Sequence, residues 1–256
     1  MENDTIDTTN LTLLDAGLLQ NAVPYEIVLL GPEHLDHIHA LHAATVASLG
    51  PDEKVYMLPK SRDYLEYHMH KGDGNGAIGI VSGGQLVAQI LVYHPTTADI
   101  DGMLAQPPAG VAAEEITVLG GACVAPGYRG NGFMNQLVWH WLDHSALCGR
   151  THAVADVDVH NTASWAAFIR GGLSLESVMT DPRDGGTIYT AHERVDKARA
   201  LRLTPEFNRH SGAAAFEIPG ADTVQQKQLM DSGYSAVAWD RHRQILLMKQ
   251  IRLTPP

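Results

Sequence analysis

The segment that most constrains the fold of this chain is Val124–Met134, VAPGYRGNGFM, in which a strand, a glycine-rich turn and a helix meet. The run before it, EITVLGGACV, has the apolar and β-branched composition of a buried strand. After it, apolar side chains recur at the spacing of an amphipathic helix. The turn therefore leaves unpaired backbone N–H groups at the start of a helix, where these donors and the helix dipole favour an anion such as phosphate.

Strand-like and helix-like segments follow one another along most of the chain. Predicted strands lie at 25–30, 76–82, 85–93, 115–124, 152–159, 173–181 and 186–195. Predicted helices lie at 32–49, 62–72, 131–147 and 161–172. The proline-rich loop 94–113 has a length that is usually functional or disordered. This order predicts an α/β fold in which a mixed, mostly antiparallel central sheet carries helices on both faces.

The element order also predicts how the chain divides. Residues 1–24 form an N-terminal extension, a tail or a short helix, and residues 25–202 form the main domain. The C-terminal unit 203–256 begins with a linker-like stretch at 203–212 and then repeats the β-α-β-β order of residues 152–195. We interpret it as a degenerate half-copy without the phosphate turn; a convergent unit of separate origin is the alternative.

Composition narrows the classes of function. The formal net charge of −11 argues against a nucleic-acid partner held by a basic surface. The two cysteines, Cys123 and Cys148, do not form a disulfide framework, which favours a reducing cytoplasm. No secretory signal is expected, because the N-terminus is acidic and polar. No run of 18 apolar residues predicts a membrane span.

Two motifs give the chain its resemblance to a known family. The first is the turn itself, and the second follows about 30 residues later on the next predicted helix. The turn reads Arg129, Gly130, Asn131, Gly132, Phe133, Met134, and the second motif reads Asn161, Ser164, Phe168, Gly172, Leu173. On these motifs and the element order, residues 25–195 resemble the GNAT superfamily of acyl-CoA-dependent N-acetyltransferases. Met134 departs from the small residue that usually ends the family turn, but it leaves every backbone donor in place.

The resemblance implies that acetyl-CoA is the co-substrate. The backbone N–H groups of Arg129 to Met134 would bind its pyrophosphate. Main-chain groups of Ala122, Cys123 and Val124 would pair with the pantetheine arm. Asn161 would reach the pantetheine amide, with Ser164 and Phe168 in the same binding segment.

The resemblance also shows what the chain lacks. Family members often place a glutamate near the position of Val118 as the base, and a tyrosine at the position of Phe168 as the acid. Strand alternation would put Glu114 on the face of Val118, where it could act through water, with Glu115 as a rival. The alternative is that both glutamates cap a loop in solvent. Because Phe168 cannot donate a proton, the acid is absent, replaced by water or supplied from elsewhere, with Tyr189 as one candidate.

Two further residues invite a role in the chemistry. His42 falls in the middle of the apolar stripe of the first helix, so it is either a satisfied core histidine or, as the resemblance suggests, a proton acceptor or substrate contact. Cys123 could be imagined as an acyl-enzyme nucleophile, but a free cysteine is commonly a small buried apolar residue.

The sequence thus predicts a cytoplasmic N-acetyltransferase that moves an acetyl group from acetyl-CoA to a primary amine of a small molecule by direct attack, with Glu114 and His42 as candidate catalytic residues. A homodimer is possible, and no nucleic acid or membrane is expected as a partner. One alternative is a non-catalytic acyl-CoA-binding or interaction protein. Another is an enzyme that uses a longer acyl donor or decarboxylates an acyl-CoA.

Overall fold

The computed structural model describes residues 5–51, 53, 57–70, 74–202, 204 and 215–250. The chain forms two compact units. The first comprises Met1–His94 and Leu119–His144, and the second comprises Pro95–Val118 and Ser145–Pro256. One strand, β5 (Ile116–Val124), and one helix, α4 (Phe133–Leu147), each contribute residues to both units.

The first unit contains a sheet with the order β1-β2-β3-β4-β5. Its strands are β1 (Leu13–Leu18), β2 (Pro24–Leu30), β3 (Gly76–Ser82), β4 (Gln85–Tyr93) and the second part of β5 (Ile116–Val124). Its helices are α1 (Leu35–Ser48), α2 (Arg62–His70) and most of α4 (Phe133–Leu147). The registers of β1 with β2, β2 with β3 and β3 with β4 are antiparallel. Helix α1 packs on β4 and helix α2 on β3.

Local hydrogen bonds and dihedral angles show how a helix begins and how two strands are joined in this unit. The hydroxyl of Ser61 caps α2 by accepting from the backbone N–H of Tyr64 at 3.1 Å. Gly83 and Gly84 both have positive φ, +59° and +75°, as a two-residue hairpin turn between β3 and β4 requires.

For the N-terminal extension a tail or a short helix is predicted, and the helix is wrong. Residues Leu13–Leu18 form an edge strand that pairs with β2, from Leu13 opposite Val28 to Leu18 opposite Pro24. The pairing supplies the hydrogen bonds that a six-residue helix would lack, since such short helices are marginal in water. Gly17 is needed here, because a Cβ at this position would lie 2.5 Å from the hydroxyl of Tyr25.

A bend in β5 also depends on glycine. Gly121 has φ +54°, a conformation that other residues rarely adopt within a strand and that often marks a bulge. A Cβ there would lie 2.5 Å from a methyl carbon of Leu91 on β4. The strand therefore changes course just before Ala122, Cys123 and Val124, and it keeps close contact with β4.

The second unit contains a sheet with the order β5-β6-β8-β7-β10-β11-β9. Besides the first part of β5, its strands are β6 (His152–Asp158), β7 (Ser174–Thr180), β8 (Thr187–Arg194), β9 (Ala215–Pro219), β10 (Tyr234–Asp240) and β11 (Ile245–Gln250). Its helices are α3 (Ile100–Met103), the end of α4, α5 (Thr162–Gly171), α6 (Val195–Leu201) and α7 (Thr223–Asp231). Ile116–Val118 of β5 run parallel to His152–Val154 of β6, and the other described registers in this unit are antiparallel. The predicted mixed, mostly antiparallel sheet with packed helices is confirmed.

The C-terminal β-α-β-β segment continues this sheet. Strand β10 lies next to β7, with Ala236 opposite Leu175, and the order β6-β8-β7 is followed by its mirror image β10-β11-β9. Helix α5 contacts β10 while α7 contacts β7, so each helix packs across the junction. The indole rings of Trp165 and Trp239 meet edge to face across it, 4.7 Å apart. The predicted linker 203–212 lies outside the described residues, apart from Thr204.

In the part of the chain that the structure describes, no helix combines the length and the apolar content needed to cross a membrane.

Candidate active site

The glycine-rich turn joins β5 to α4 in the first unit. Pro126–Tyr128 form one turn of 3-10 helix, and α4 begins at Phe133. Gly130 and Gly132 have φ of +86° and +76°, which lets the chain reverse twice within three residues. The buried ring of Phe133 packs edge to face on Tyr25 of β2, with 5.0 Å between centroids, and this contact fixes the start of the helix.

The turn presents backbone donors rather than side-chain donors. Among the described residues, no protein group accepts a hydrogen bond from the N–H of Gly130, Asn131 or Gly132. The sequence predicts that the backbone N–H of Arg129 is also available to phosphate. In the structure this N–H donates to the carbonyl oxygen of Pro126 at 3.3 Å. The N–H groups of Phe133 and Met134 lie in the first turn of α4, where a helix leaves its donors unpaired.

The shape and charge of the turn fit the pyrophosphate of an acyl-CoA. A Cβ added at Gly130 or Gly132 would meet no atom within 4 Å, so both glycines border open space. Arg129 is exposed, and its Nε lies 3.4 Å from the carbonyl oxygen of Val124. Unpaired N–H groups, a helix N-terminus and a guanidinium together favour a doubly charged phosphate group.

The end of β5 leads into this turn. The N–H of Ala125 donates to the carbonyl of Val87 on β4 at 2.9 Å, which holds the end of the strand in the sheet. Ala122 and Val124 are partly exposed, whereas the side chain of Cys123 is buried on the side of α1.

His42 and Cys123 are brought together beneath β5. Nδ1 of His42 lies 3.5 Å from Sγ of Cys123, and the thiol lies 3.4 Å from the carbonyl oxygen of Gly121. Nε2 of His42 lies 3.1 Å from the backbone nitrogen of Lys60 and 3.2 Å from the carbonyl oxygen of Leu58. A neutral ring carries one N–H: it either donates from Nε2 to Leu58 while Nδ1 accepts from the thiol, or accepts at Nε2 from Lys60 while Nδ1 donates to the sulfur.

Burial sets the protonation of this pair. It raises the pKa of the Cys123 thiol to about 12 and lowers the pKa of His42, to which the positive charge of Lys60 also contributes. Both groups are therefore neutral near pH 7. A protonated thiol is a poor nucleophile, so Cys123 is suited to packing rather than to an acyl-enzyme.

Glu114 and Glu115 lie in the second unit, but not on the strand. They form a 3-10 turn with Ala113, and β5 begins after them at Ile116, so strand alternation does not extend to Glu114. The exposed carboxylate of Glu114 accepts from the N–H and the hydroxyl of Thr97 at 3.3 and 3.2 Å. Hydrogen bonds from its own backbone N–H and from Thr97 hold the pKa of Glu114 below its ordinary value. Glu115 accepts from the N–H of Ala112 at 3.2 Å.

Asn161, Ser164 and Phe168 lie on α5 of the second unit. Oδ1 of Asn161 caps the helix by accepting from the N–H of Ser164 at 3.3 Å, a bond that occupies the oxygen and leaves the side-chain NH₂ as a donor. Phe168 is buried in the core. Helix α5 ends at Gly171 and is capped by Gly172, which has φ +100°.

Tyr189 is also part of the core. Its side chain is fully buried, and its hydroxyl donates to Oε1 of Gln226 on α7 at 2.5 Å. Burial raises the pKa of Tyr189 well above its ordinary value. These contacts suit a structural role better than that of a proton donor.

Sequence reasoning missed one cluster of charged residues in the second unit. Arg183, in the turn between β7 and β8, lies between the carboxylates of Asp156 and Asp181, at 2.9 and 2.7 Å. A signal for this cluster is present in the sequence: Arg183 lies in a predicted hairpin turn, and Asp156 lies on the predicted strand before that hairpin.

Comparisons with known proteins agree with this geometry. The family model described as "Acetyltransferase (GNAT) family" matches residues 41–171. A comparison with curated protein sequences finds no match.

Solved structures share the fold at low sequence identity. The GNAT domain of S. lividans PAT is 13% identical, with a TM-score of 0.51, over 70% of this chain and 96% of that one. A putative acetyltransferase from Salmonella typhimurium, solved with its cofactor acetyl-CoA, is 14% identical, with a TM-score of 0.52, over 68% and 95%. The ribosomal-protein-S18-alanine N-acetyltransferase from Escherichia coli is 14% identical, with a TM-score of 0.50, over 67% and 94%. At these identities the likeness extends to the fold alone.

Proposed function

Because the chain belongs to the acetyltransferase (GNAT) family, we propose that it transfers the acetyl group of acetyl-CoA to a primary amine of a small molecule. The chain is an acyltransferase, and acetyl-CoA is its co-substrate. The amine nitrogen attacks the thioester carbonyl directly. The C–N bond forms, the C–S bond breaks, and the amine loses a proton.

The observation that carries this proposal is the turn at 129–134. Its donors have no protein partner among the described residues at Gly130, Asn131 and Gly132, and a Cβ at either glycine would enter open space. We propose that these groups, with the first-turn N–H groups of Phe133 and Met134, bind the pyrophosphate. The backbone N–H of Arg129 is already hydrogen-bonded to Pro126, so Arg129 would contribute through the positive charge of its guanidinium instead.

Other residues of the chain would hold the rest of the donor. Main-chain groups of Ala122, Cys123 and Val124 are proposed to pair with the pantetheine arm, where an N–H could also polarise the thioester carbonyl. The side-chain NH₂ of Asn161 is proposed to reach a pantetheine amide, and Ser164 and Phe168 belong to the same segment.

The amine arrives protonated near pH 7, so the reaction needs a proton acceptor. We propose Glu114, acting through water, since it is an exposed carboxylate. His42 is the second candidate. Its Nε2 already lies 3.1 Å from the backbone nitrogen of Lys60 and 3.2 Å from the carbonyl oxygen of Leu58, which favours a supporting role beneath the binding strand over proton transfer. With Phe168 and the buried Tyr189 unsuited as acids, we propose that water protonates the leaving thiolate.

We further propose that residues 1–24 are an extension, residues 25–202 the catalytic domain and residues 203–256 a degenerate half-copy of it. The mirrored strand order β6-β8-β7 and β10-β11-β9 supports a half-copy, because two related units joined about a two-fold axis would give this order. Two free cysteines fit a cytoplasmic location, and a homodimer is compatible with the proposal.

The test measures thiol release from acetyl-CoA over a panel of small primary amines, with malonyl-CoA and a long-chain acyl-CoA as alternative donors. We expect amine-dependent release from acetyl-CoA and one acetylated amine for each thiol. Binding of acetyl-CoA without thiol release over the panel would instead favour a non-catalytic binding protein. Faster release from another donor, or release of CO₂ from malonyl-CoA, would favour a different acyl-CoA reaction.

A further inference from the structure

A single guanidinium ties three segments of the second unit together. Arg183 lies in the turn between β7 and β8, and its Nε and Nη2 donate to the two carboxylate oxygens of Asp181 at 2.8 and 2.7 Å. Nη2 also donates to Oδ2 of Asp156 on β6 at 2.9 Å. Nη1 donates to the carbonyl oxygen of Met103 at 2.9 Å. The hairpin turn, strand β6 and the 94–113 loop thus meet at one side chain.

Asp156 completes the connection from the other side. Its Oδ2 accepts from the backbone N–H of Ala105 at 2.7 Å, and its Oδ1 accepts from the hydroxyl of Thr190 at 3.3 Å. The backbone of the loop is therefore held at the carbonyl of Met103 by Arg183 and at the N–H of Ala105 by Asp156. These two bonds lie on either side of Leu104, which is buried.

The charges make this arrangement sensitive to the loss of Arg183. The side chains of Asp156 and Asp181 are each 8% exposed, whereas that of Arg183 is 35% exposed. Burial raises the pKa of Asp156, and the hydrogen bond from Ala105 and the charge of Arg183 oppose that change. Without the guanidinium, two buried carboxylates would share a site, and the like charges would drive one of them to bind a proton or move.

The cluster lies on β6, near the carboxyl end of that strand. Strand β6 runs parallel to β5 at Ile116–Val118, and Asp156 lies two residues beyond Val154, the last residue of that register. Ligands of parallel sheets bind outside the carboxyl ends of the strands. The loop 94–113 contains the short helix α3, and its Met103–Ala105 segment lies beside β6. Binding residues lie disproportionately on loops that a rigid scaffold positions.

We propose that Arg183 is a positioning residue for the amine substrate. It holds the loop at Met103–Ala105 against β6 and the hairpin turn, and so fixes the shape of the amine subsite in the second unit. This inference rests on the proposed acetyl transfer. Arg183 takes no part in bond making, so its loss should weaken amine recognition and leave donor binding intact.

The experiment compares wild type, Arg183→Gln, Arg183→Lys and Arg194→Gln in the full-length protein. Arg183→Lys keeps the charge but loses the planar fork that contacts two carboxylates. Arg194→Gln is the matched control, because Arg194 also pairs with a carboxylate, Asp196, but on the exposed surface. Hydrogen exchange at the Ala105 amide is measured without substrate, and KM for amine and for acetyl-CoA is measured separately.

In Arg183→Gln we expect faster exchange at Ala105 and a KM for amine raised roughly 10- to 100-fold, as for a misplaced substrate contact. The KM for acetyl-CoA should change by less than about twofold, because the groups proposed to bind the donor do not include Arg183. The exchange rate and the KM for amine of Arg183→Lys should lie between those of wild type and Arg183→Gln. Added guanidinium ion should restore part of the amine affinity of Arg183→Gln. Arg194→Gln should match wild type in both measurements.

Unchanged exchange at Ala105 in Arg183→Gln would overturn the inference. So would faster exchange with an unchanged KM for amine, or equal rises in both KM values. A wild-type protein that acetylates no amine would overturn the proposed function and the positioning role with it. In that case the exchange measurement still shows whether the three segments are joined through Arg183.

Discussion

Nδ1 of His42 lies 3.5 Å from the sulfur of Cys123, and this contact joins α1 to the strand that leads into the glycine-rich turn. The other ring nitrogen lies 3.1 Å from the backbone nitrogen of Lys60 and 3.2 Å from the carbonyl oxygen of Leu58, so the ring is fully engaged while it is neutral. Protonation would put a charge on a buried ring, and burial disfavours the charged form. The pair should therefore be most stable with His42 uncharged.

His42→Gln tests this relationship through pH. Burial lowers the pKa of His42 from its ordinary 6.5, so the unfolded chain takes up this proton before the folded protein does. The stability that depends on neutral His42 is present above pH 6.5 and is lost as the pH falls towards the lowered folded value. We expect the free energy of unfolding of wild type to fall over that range, and that of His42→Gln to fall less.

Urea unfolding at several pH values measures the difference between the two proteins. The comparison removes the contribution of His152, whose pKa burial also lowers, because His152 is unchanged in both. We expect turnover of His42→Gln to stay within about tenfold of wild type. A loss of roughly 10²- to 10⁴-fold would instead identify His42 as the proton acceptor.

Glu114→Gln tests the proposed base. We expect kcat/KM to fall by roughly 10²-fold, the lower range for loss of a general base. Because hydrogen bonds lower the pKa of Glu114 from its ordinary 4.5, the wild-type carboxylate stays ionised above that pH and should cause no inflection in kcat/KM there. Glu115→Gln is the control, and steady-state kinetics of both variants over pH 5–9 measure the effect. A larger loss in Glu115→Gln would transfer the role to Glu115.

Gly132→Ala tests the turn without disturbing its protein contacts. Gly132 has φ +76°, so any L side chain costs about 1–2 kcal/mol of stability there. Gly149 is a matched control, with φ +73° and no atom within 4 Å of an added Cβ. We expect both alanine variants to lose similar stability.

Donor affinity should separate the two glycine variants. In Gly132→Ala the methyl group enters the space proposed for the pyrophosphate, so the Kd for acetyl-CoA should rise at least roughly tenfold, or about 1.4 kcal/mol. Calorimetric titration of both variants measures this. Equal affinities would mean that the turn does not contact the donor.

Tyr189→Phe tests the junction with the C-terminal segment. Removing the hydroxyl leaves Oε1 of the buried Gln226 without its donor, which should cost about 1–3 kcal/mol of unfolding free energy. Tyr234→Phe is the control, since no described group bonds to that hydroxyl, and it should cost less than about 0.5 kcal/mol. Turnover should be unchanged in both. If kcat fell in Tyr189→Phe while the unfolding free energy stayed constant, Tyr189 would be identified as the proton donor to the leaving thiolate.

The elements that the sequence predicted well carry their own local signals. Ser61 lies where a hydroxyl can cap a helix, Gly172 supplies the left-handed end of another, and Gly83-Gly84 forms a two-residue hairpin turn. Each signal acts within four residues, so it can be recognised from the sequence alone. The glycine turn belongs to the same class.

The features that were missed depend on contacts distant in sequence. Leu13–Leu18 is a strand because β2 pairs with it, and its apolar residues alone fit a short helix equally well. Arg183 and Asp156 are 27 residues apart, and no spacing rule links them. Glu114 does not lie on the predicted strand face, because residues 113–115 form a 3-10 turn. The strand begins only at Ile116, so its period-two alternation does not include Glu114.

The central claim is that the turn at 129–134 holds the pyrophosphate of acetyl-CoA, and calorimetry with two donors tests it most directly. One donor is acetyl-CoA, and the other is S-acetylpantetheine, which carries the same thioester without the pyrophosphate. We predict saturable binding of acetyl-CoA and at least roughly tenfold weaker binding of S-acetylpantetheine, because charge-assisted hydrogen bonds to phosphate are lost. Equal affinities for the two donors would contradict the account. So would the absence of acetyl-CoA binding at about 1 mM, since a Kd of that size corresponds to a binding free energy of roughly −4 kcal/mol.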